Sequence, residues 1–117
     1  MTIMAKKTNI DNPGDITLGG YVHTHERPPA FQGFDGLPYT VSIEIETVSD
    51  LANPYVAYLV FPQWASTGVG IIGHLQTPVL FREQTLKQAE SAISSLKLSE
   101  VKLLLDKAID NSTGRTK

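Results

Sequence analysis

Tyr55–Pro62, YVAYLVFP, is the stretch whose reading decides the fold. It is apolar at both parities and lies between the turn signal SDLANP (49–54) and QWAST (63–67). A short run of this kind, rich in β-branched and aromatic residues, predicts a strand covered on both faces, and such a strand sits in the middle of a sheet. Its upstream neighbour YTVSIEIETV (39–48) alternates instead. Val41, Ile43 and Ile45 face one way and Ser42, Glu44 and Glu46 the other, the pattern of one buried and one wet face. Downstream, GVGIIGHLQT (68–77) reads as a glycine-rich strand and PVLF (78–81) as a short fifth.

Ahead of these strands stands ITLGGYVHTHE (16–26). Taken at period two, Ile16, Leu18, Val22 and Thr24 share one side, and Tyr21, His23 and His25 the other, which predicts a first strand with a bulge at its paired glycines. RPPAFQGFDGLP (27–38) then reads as a long loop, since its prolines and glycines oppose regular structure. The last third is helical. Thr85 and Gln88 form a capping box, and Leu86, Ala89, Ile93 and Leu96 recur at helical spacing. The apolar phase slips before Val101, Leu104, Leu105, Ala108 and Ile109, so the spacing predicts two helices that bend near Leu98, with Ser99 as the second N-cap.

The expected architecture is α+β: an antiparallel sheet of four or five strands, able to curve strongly, followed by two C-terminal helices packed on one face. The expected organisation is a tail over 1–14, one domain over 15–110 and a tail over 111–117. The other face of the central strand then needs a cover. The loop aromatics, curling of the sheet into a partial barrel and a second subunit are the candidates, and a homodimer would also hold the tails.

Composition sets the outer limits. The 117 residues are 41% apolar and 19% charged with a net charge of −2, which suits one globular domain. Positive charge is dispersed, so neither nucleic acid nor an anionic membrane is an expected partner. The chain has no cysteine, which removes disulfides, thiolate nucleophiles and cysteine-bound metals and suits a cytoplasmic protein. The lysines near the N-terminus are not followed by the apolar run of a secretory signal.

Two clusters invite chemistry. If 16–26 is a strand, His23 and His25 point the same way, and an antiparallel pairing puts them on the face of Glu44 and Glu46, with His74 on the fourth strand. Two imidazoles and a carboxylate, or three imidazoles, suit zinc or a similar metal with an open position, the site of a metal-dependent enzyme. Glu44 and Glu46 also have the separation of an acid/base pair, although glutamates alternating with isoleucines are the ordinary dress of a wet face. The second cluster is the loop. Its prolines pre-order a binding lip for a small molecule or a protein partner, with Phe31, Phe34, Tyr39 and Trp64 as aromatic surface and Arg27 at its entry. Equally, Phe31 and Phe34 can plug the core.

Other motifs fail on context. GVGIIG (68–73) spells a dinucleotide fingerprint but runs toward Pro78 rather than opening a helix. No G-x-S-x-G occurs, and the second helix is too acidic to read DNA. The metal-binding cupins share a His-x-His strand, but there the glutamate follows several residues later, whereas Glu26 adjoins His25. With no catalytic set, the leading expectation is a non-enzymatic binding module at the 27–38 loop; a metal-dependent enzyme and a structural homodimer are the alternatives.

HERPPAFQGFDGLPYTVSIEIE (25–46), PYVAYLVFPQWASTGVGIIGHLQTP (54–78) and LSEVKLLLDKAI (98–109) together resemble a group of small uncharacterised bacterial proteins. These carry an HERPPAFxGxDGxPYTV segment and a YLVFPxWxxTGxGIxGH segment. The resemblance covers most of the chain beyond its tail and implies no activity. Proteins of this kind also occur as products of mobile gene cassettes.

Overall fold

The computed structural model describes residues 16–112. The tail expected over 1–14 lies outside the described residues, as does 113–117. In chain order the elements are α1 (Leu18–His25), β1 (Ala30–Gln32), β2 (Pro38–Thr40), β3 (Ser42–Thr47), β4 (Tyr55–Trp64), β5 (Ile71–Gln76), β6 (Phe81–Glu83), α2 (Leu86–Ser94) and α3 (Leu98–Ser112). The chain is α+β: one open antiparallel sheet of six strands, then two C-terminal helices. Asn111 and Ser112 complete the last helix rather than starting a tail.

β4 is the hub. On one side it pairs with β2 (Tyr39 opposite Gln63) and β3 (Ser42 opposite Val60 through Thr47 opposite Tyr55). The two pairings share one register, so β2 and β3 are the single alternating strand of the sequence with a gap at Val41. On the other side β4 pairs with β5 and, farther along, with β6. The register slips by two residues between them, and Pro78 and Val79 take up the slack. Thr77 repairs the ladder there: its N–H donates to the Leu59 carbonyl (2.9 Å) and its hydroxyl accepts the Leu59 N–H (3.1 Å). β1 adds a further lane outside β2, with Phe31 opposite Tyr39.

Residues opposite one another in a sheet share a face, so the register divides β4 cleanly. Ala57, Leu59 and Phe61, each 0% exposed, point with Val41, Ile43, Ile45, Leu75 and Phe81 into the core. There they meet Ala89 and Ile93 of α2 and Val101, Leu105 and Ile109 of α3. The Thr85–Gln88 capping box forms in both directions, with the Gln88 N–H donating to Thr85 Oγ1 (3.1 Å) and the Thr85 N–H to Gln88 Oε1 (3.2 Å).

The structure departs from expectation in three places. Residues 16–26 are not a strand: 18–25 form α1. Leu18, Tyr21, Val22 and His25 satisfy the i, i+3, i+4, i+7 spacing, so the apparent alternation was one of two periods that the stretch supports. Thr17 caps the helix, its side chain accepting the Gly20 N–H (3.0 Å). Gly19 lets the helix lie against α2, since a Cβ there would stand 2.8 Å from Ser94 Cβ. Glu26 closes α1 with a left-handed φ of 55°, and the two prolines prevent its continuation. Second, the 27–38 loop contains β1 and the start of β2, a hairpin around Gly33. A Cβ at Gly33 would lie 2.5 Å from Ile109 Cδ1 and 2.9 Å from Tyr39 Cε1, so the turn rests on α3. Third, α3 opens one residue before Ser99. Glu100 Oε1 accepts the Lys97 N–H (2.8 Å), half of a capping box. The bend before it is clamped by the chain entering α1: the Leu18 N–H donates to the Leu96 carbonyl (2.7 Å) and the Leu98 N–H to the Ile16 carbonyl (2.8 Å).

Candidate functional site

The second face of β4 carries Val56, Tyr58, Val60, Pro62 and Trp64. Among the described residues, both C-terminal helices lie on the opposite side, so this face of the sheet is open. Cross-strand pairing builds it in lanes. On the β2–β3 side stand Thr40, Ser42, Glu44 and Glu46; on the β5–β6 side stand Ile71, His74, Gln76 and Arg82. Hydrogen bonds fix several of these groups. The Trp64 indole N–H donates to Thr40 Oγ1 (3.1 Å), the Ser42 hydroxyl to Glu44 Oε2 (2.9 Å) and the Tyr58 hydroxyl to Glu46 Oε2 (2.6 Å). The last bond, to an acceptor that prefers the protonated phenol, raises the Tyr58 pKa above its ordinary value.

At the Trp64 end this face runs into a groove of about 380 Å³. Val22 of α1, Pro28, Thr40, Ser42, Ile43 and Pro62 line it. Pro28 belongs to the stretch that the sequence singled out, and Thr40 is the partner of Trp64. The lining is apolar apart from the two hydroxyls and holds no acid, base or imidazole. Its polar points are the hydroxyls of Thr40 and Ser42.

The residues expected to form one aromatic lip fall into three environments. Phe31 packs partly buried against the core, and Tyr39 is 2% exposed within it. The Tyr39 hydroxyl donates to Asp35 Oδ2 (2.8 Å). Burial first, and then that bond beside a carboxylate, push its pKa upward. Phe34 is 53% exposed at the hairpin tip, where its N–H donates to Asp106 Oδ1 of α3 (3.0 Å). Trp64 stands on the open face, and Arg27 is exposed beyond α1. Phe31 is therefore the core plug, whereas Phe34 is surface.

The histidine set is not assembled. On a helix, residues two apart point to nearly opposite sides, so His23 and His25 diverge; His25 stacks instead on Tyr21, with ring centroids 4.2 Å apart. Glu44 and His74 do share the open face, but β4 separates them and their rows are four residues apart, on the order of 15 Å by strand spacing. Among the described residues, no three histidine, aspartate or glutamate side chains are placed to hold a metal ion. The loss has two causes: α1 replaced the expected strand and separates His23 from His25, and β4 keeps His74 away from Glu44.

Comparison with known protein families, with curated proteins and with solved structures finds no match.

Sequence reasoning found Trp64, Glu44 and His74 of this face but not Tyr58, Pro62, Ile71 or Arg82. The signal was present in the parity of β4, because every second residue from Val56 to Trp64 shares a side. Only the pairing partners of β5 and β6 were needed to complete it. Among the described residues, no helix is long and apolar enough to cross a membrane.

Proposed function

We propose that this chain is a non-catalytic binding module, and that the groove between Val22, Pro28 and Pro62 takes a small, mainly apolar molecule carrying one polar group. The observation that carries this reading is the groove's lining: apolar walls from three different elements, with the hydroxyls of Thr40 and Ser42 as the polar points. Pockets of this composition hold ligands by burying apolar surface and orient them with a few polar groups. Of the 27–38 segment expected from the sequence, Pro28 lines the groove and Phe31 and Phe34 do not, while Trp64 reaches it through its bond to Thr40. The lack of cysteine suits a reducing, cytoplasmic setting, with neither nucleic acid nor a membrane as partner. The resemblance to small bacterial proteins implies no activity that would compete with a binding role.

Trp64 is the only tryptophan in the chain, and its indole is tied to a groove residue, so it reports directly. Titration with anilinonaphthalene sulfonate should give saturable, one-to-one quenching of Trp64 fluorescence. Val22→Glu, at a position 38% exposed on the groove wall, should weaken binding about tenfold while the circular dichroism spectrum is unchanged. Non-saturable binding, or binding indifferent to Val22→Glu, overturns the reading.

A further inference from the structure

The open face has a property that the groove does not explain. Its two outer lanes carry opposite charge, and the charges lie in register. Glu46 and Arg82 are both paired opposite Val56, one on each side of β4. They therefore stand in one row, about 10 Å apart, with Val56 between them. The two side chains form no ion pair with each other, and among the described residues Arg82 has no acidic partner. Val56 is nevertheless 2% exposed and lies outside the core cluster.

From this row we infer that the open sheet face is the contact between two copies of this chain, related by a two-fold axis parallel to β4. Sheets that pack face to face keep their strands within about 30° of one another, and a two-fold dimer buries the same patch on both copies. An axis along the strands exchanges the left and right lanes while keeping each row at its own level. Glu46 of each copy then faces the partner's Arg82, and the partly exposed Val60 and Pro62 meet their counterparts in the middle. An axis across the strands would set the glutamate lane against itself, and like charges in apposition are strongly disfavoured. The charge pattern thus selects one of the two ways in which the sheets can stack. Size is adequate as well. Three lanes run along the ten-residue central strand and β1 adds a fourth at one end, a face about 14–19 Å by 34 Å, the size of a small interface. Exposed Ile71 and Ile72, 57% and 61% accessible, extend the apolar stripe at the Trp64 end.

Charge exchange tests this directly. Sedimentation equilibrium from about 1 to 100 μM should show the wild-type chain as a dimer that weakens with added salt. Glu46→Arg and Arg82→Glu should each raise the dimer dissociation constant at least about tenfold, because each sets like charges opposite one another. The double variant E46R/R82E should restore the dimer. Both positions are exposed, so circular dichroism and melting temperature should hold for all three variants. A wild-type monomer throughout the range, single variants that dimerise normally, or a double variant that stays dissociated each overturn the inference. The readout uses no ligand, so its outcome is separate from that of the probe titration at the groove.

Discussion

The two faces of β4 are made from one strand and behave as different materials. Ala57, Leu59 and Phe61 sit in a core with no accessible surface. Tyr58, Val60, Pro62 and Trp64, one residue away along the chain, keep part of theirs. Apolarity does not separate the two sets. Their neighbours do: the inner face meets helix side chains chosen for volume, while the outer face is flanked by Glu44, Glu46, His74 and Arg82. Residue type along a strand reports that both faces are to be covered. It does not report by what.

The sharpest way to break this comparison is to truncate both faces. Phe61→Ala should cost about 3–5 kcal/mol, since the cavity is closed in by α3 and β5, while Val60→Ala should cost about 1 kcal/mol or less in the monomer. Urea unfolding of the two variants measures both, and equal losses would mean that the outer face is also core. The hairpin offers the same contrast on a smaller scale. Phe31→Ala should cost about 2 kcal/mol and Phe34→Ala well under 1 kcal/mol, read as the midpoint shift in denaturant.

How much of this was legible follows from the strength of each local signal. The alternation from Val41 to Glu46 named the inner and outer residues of β3 correctly, because only one register keeps all three aliphatic side chains out of water. The Thr85–Gln88 box was equally legible, being a local pair of hydrogen bonds. Residues 16–26 were not legible, for Leu18 and Val22 fit a strand and a helix alike. What decided between them lies far along the chain: the space beside Ser94 that admits Gly19, and the Leu96 carbonyl and Leu98 N–H that fix the entry to α1. That assignment separated His23 from His25, while the sheet register separately kept His74 away from Glu44. β1 was missed because three residues carry no period, and its pairing is set by the turn at Gly33.

Two further variants sharpen the comparison on its inner side. Thr77→Val keeps shape but strands the buried Leu59 N–H, and should cost about 1–3 kcal/mol. A loss near zero would show that water or a shifted backbone replaces the hydroxyl. Tyr39→Phe should cost about 1 kcal/mol at neutral pH and also change the alkaline limb. The folded-state pKa of Tyr39 is raised, so its contribution is complete below the ordinary tyrosine value of about 10 and fades as pH rises beyond it. The wild type should therefore lose stability above pH about 10 more steeply than the variant, and parallel curves would contradict the burial of this hydroxyl. The smallest effect belongs to the outer face. Tyr58→Phe removes an exposed bond to Glu46, and a change beyond about 0.5 kcal/mol in thermal unfolding of dissociated protein would show that this face stabilises the monomer after all.

The position of β4 also governs the order in which the chain can be completed during synthesis. Every lane except β1 pairs with it directly, but the helices that cover its inner face occupy the last part of the chain. At about 5–20 residues per second, the Leu59–Phe61 stripe waits about 2–10 s for α3 to be made. Nascent chains halted after Glu83 should accordingly be cut readily by protease and held by chaperones, whereas full-length chains tethered by a linker added after Lys117, long enough to clear the exit tunnel, should resist both. The ribosome, rather than the finished fold, meets this protein with its core facing outward.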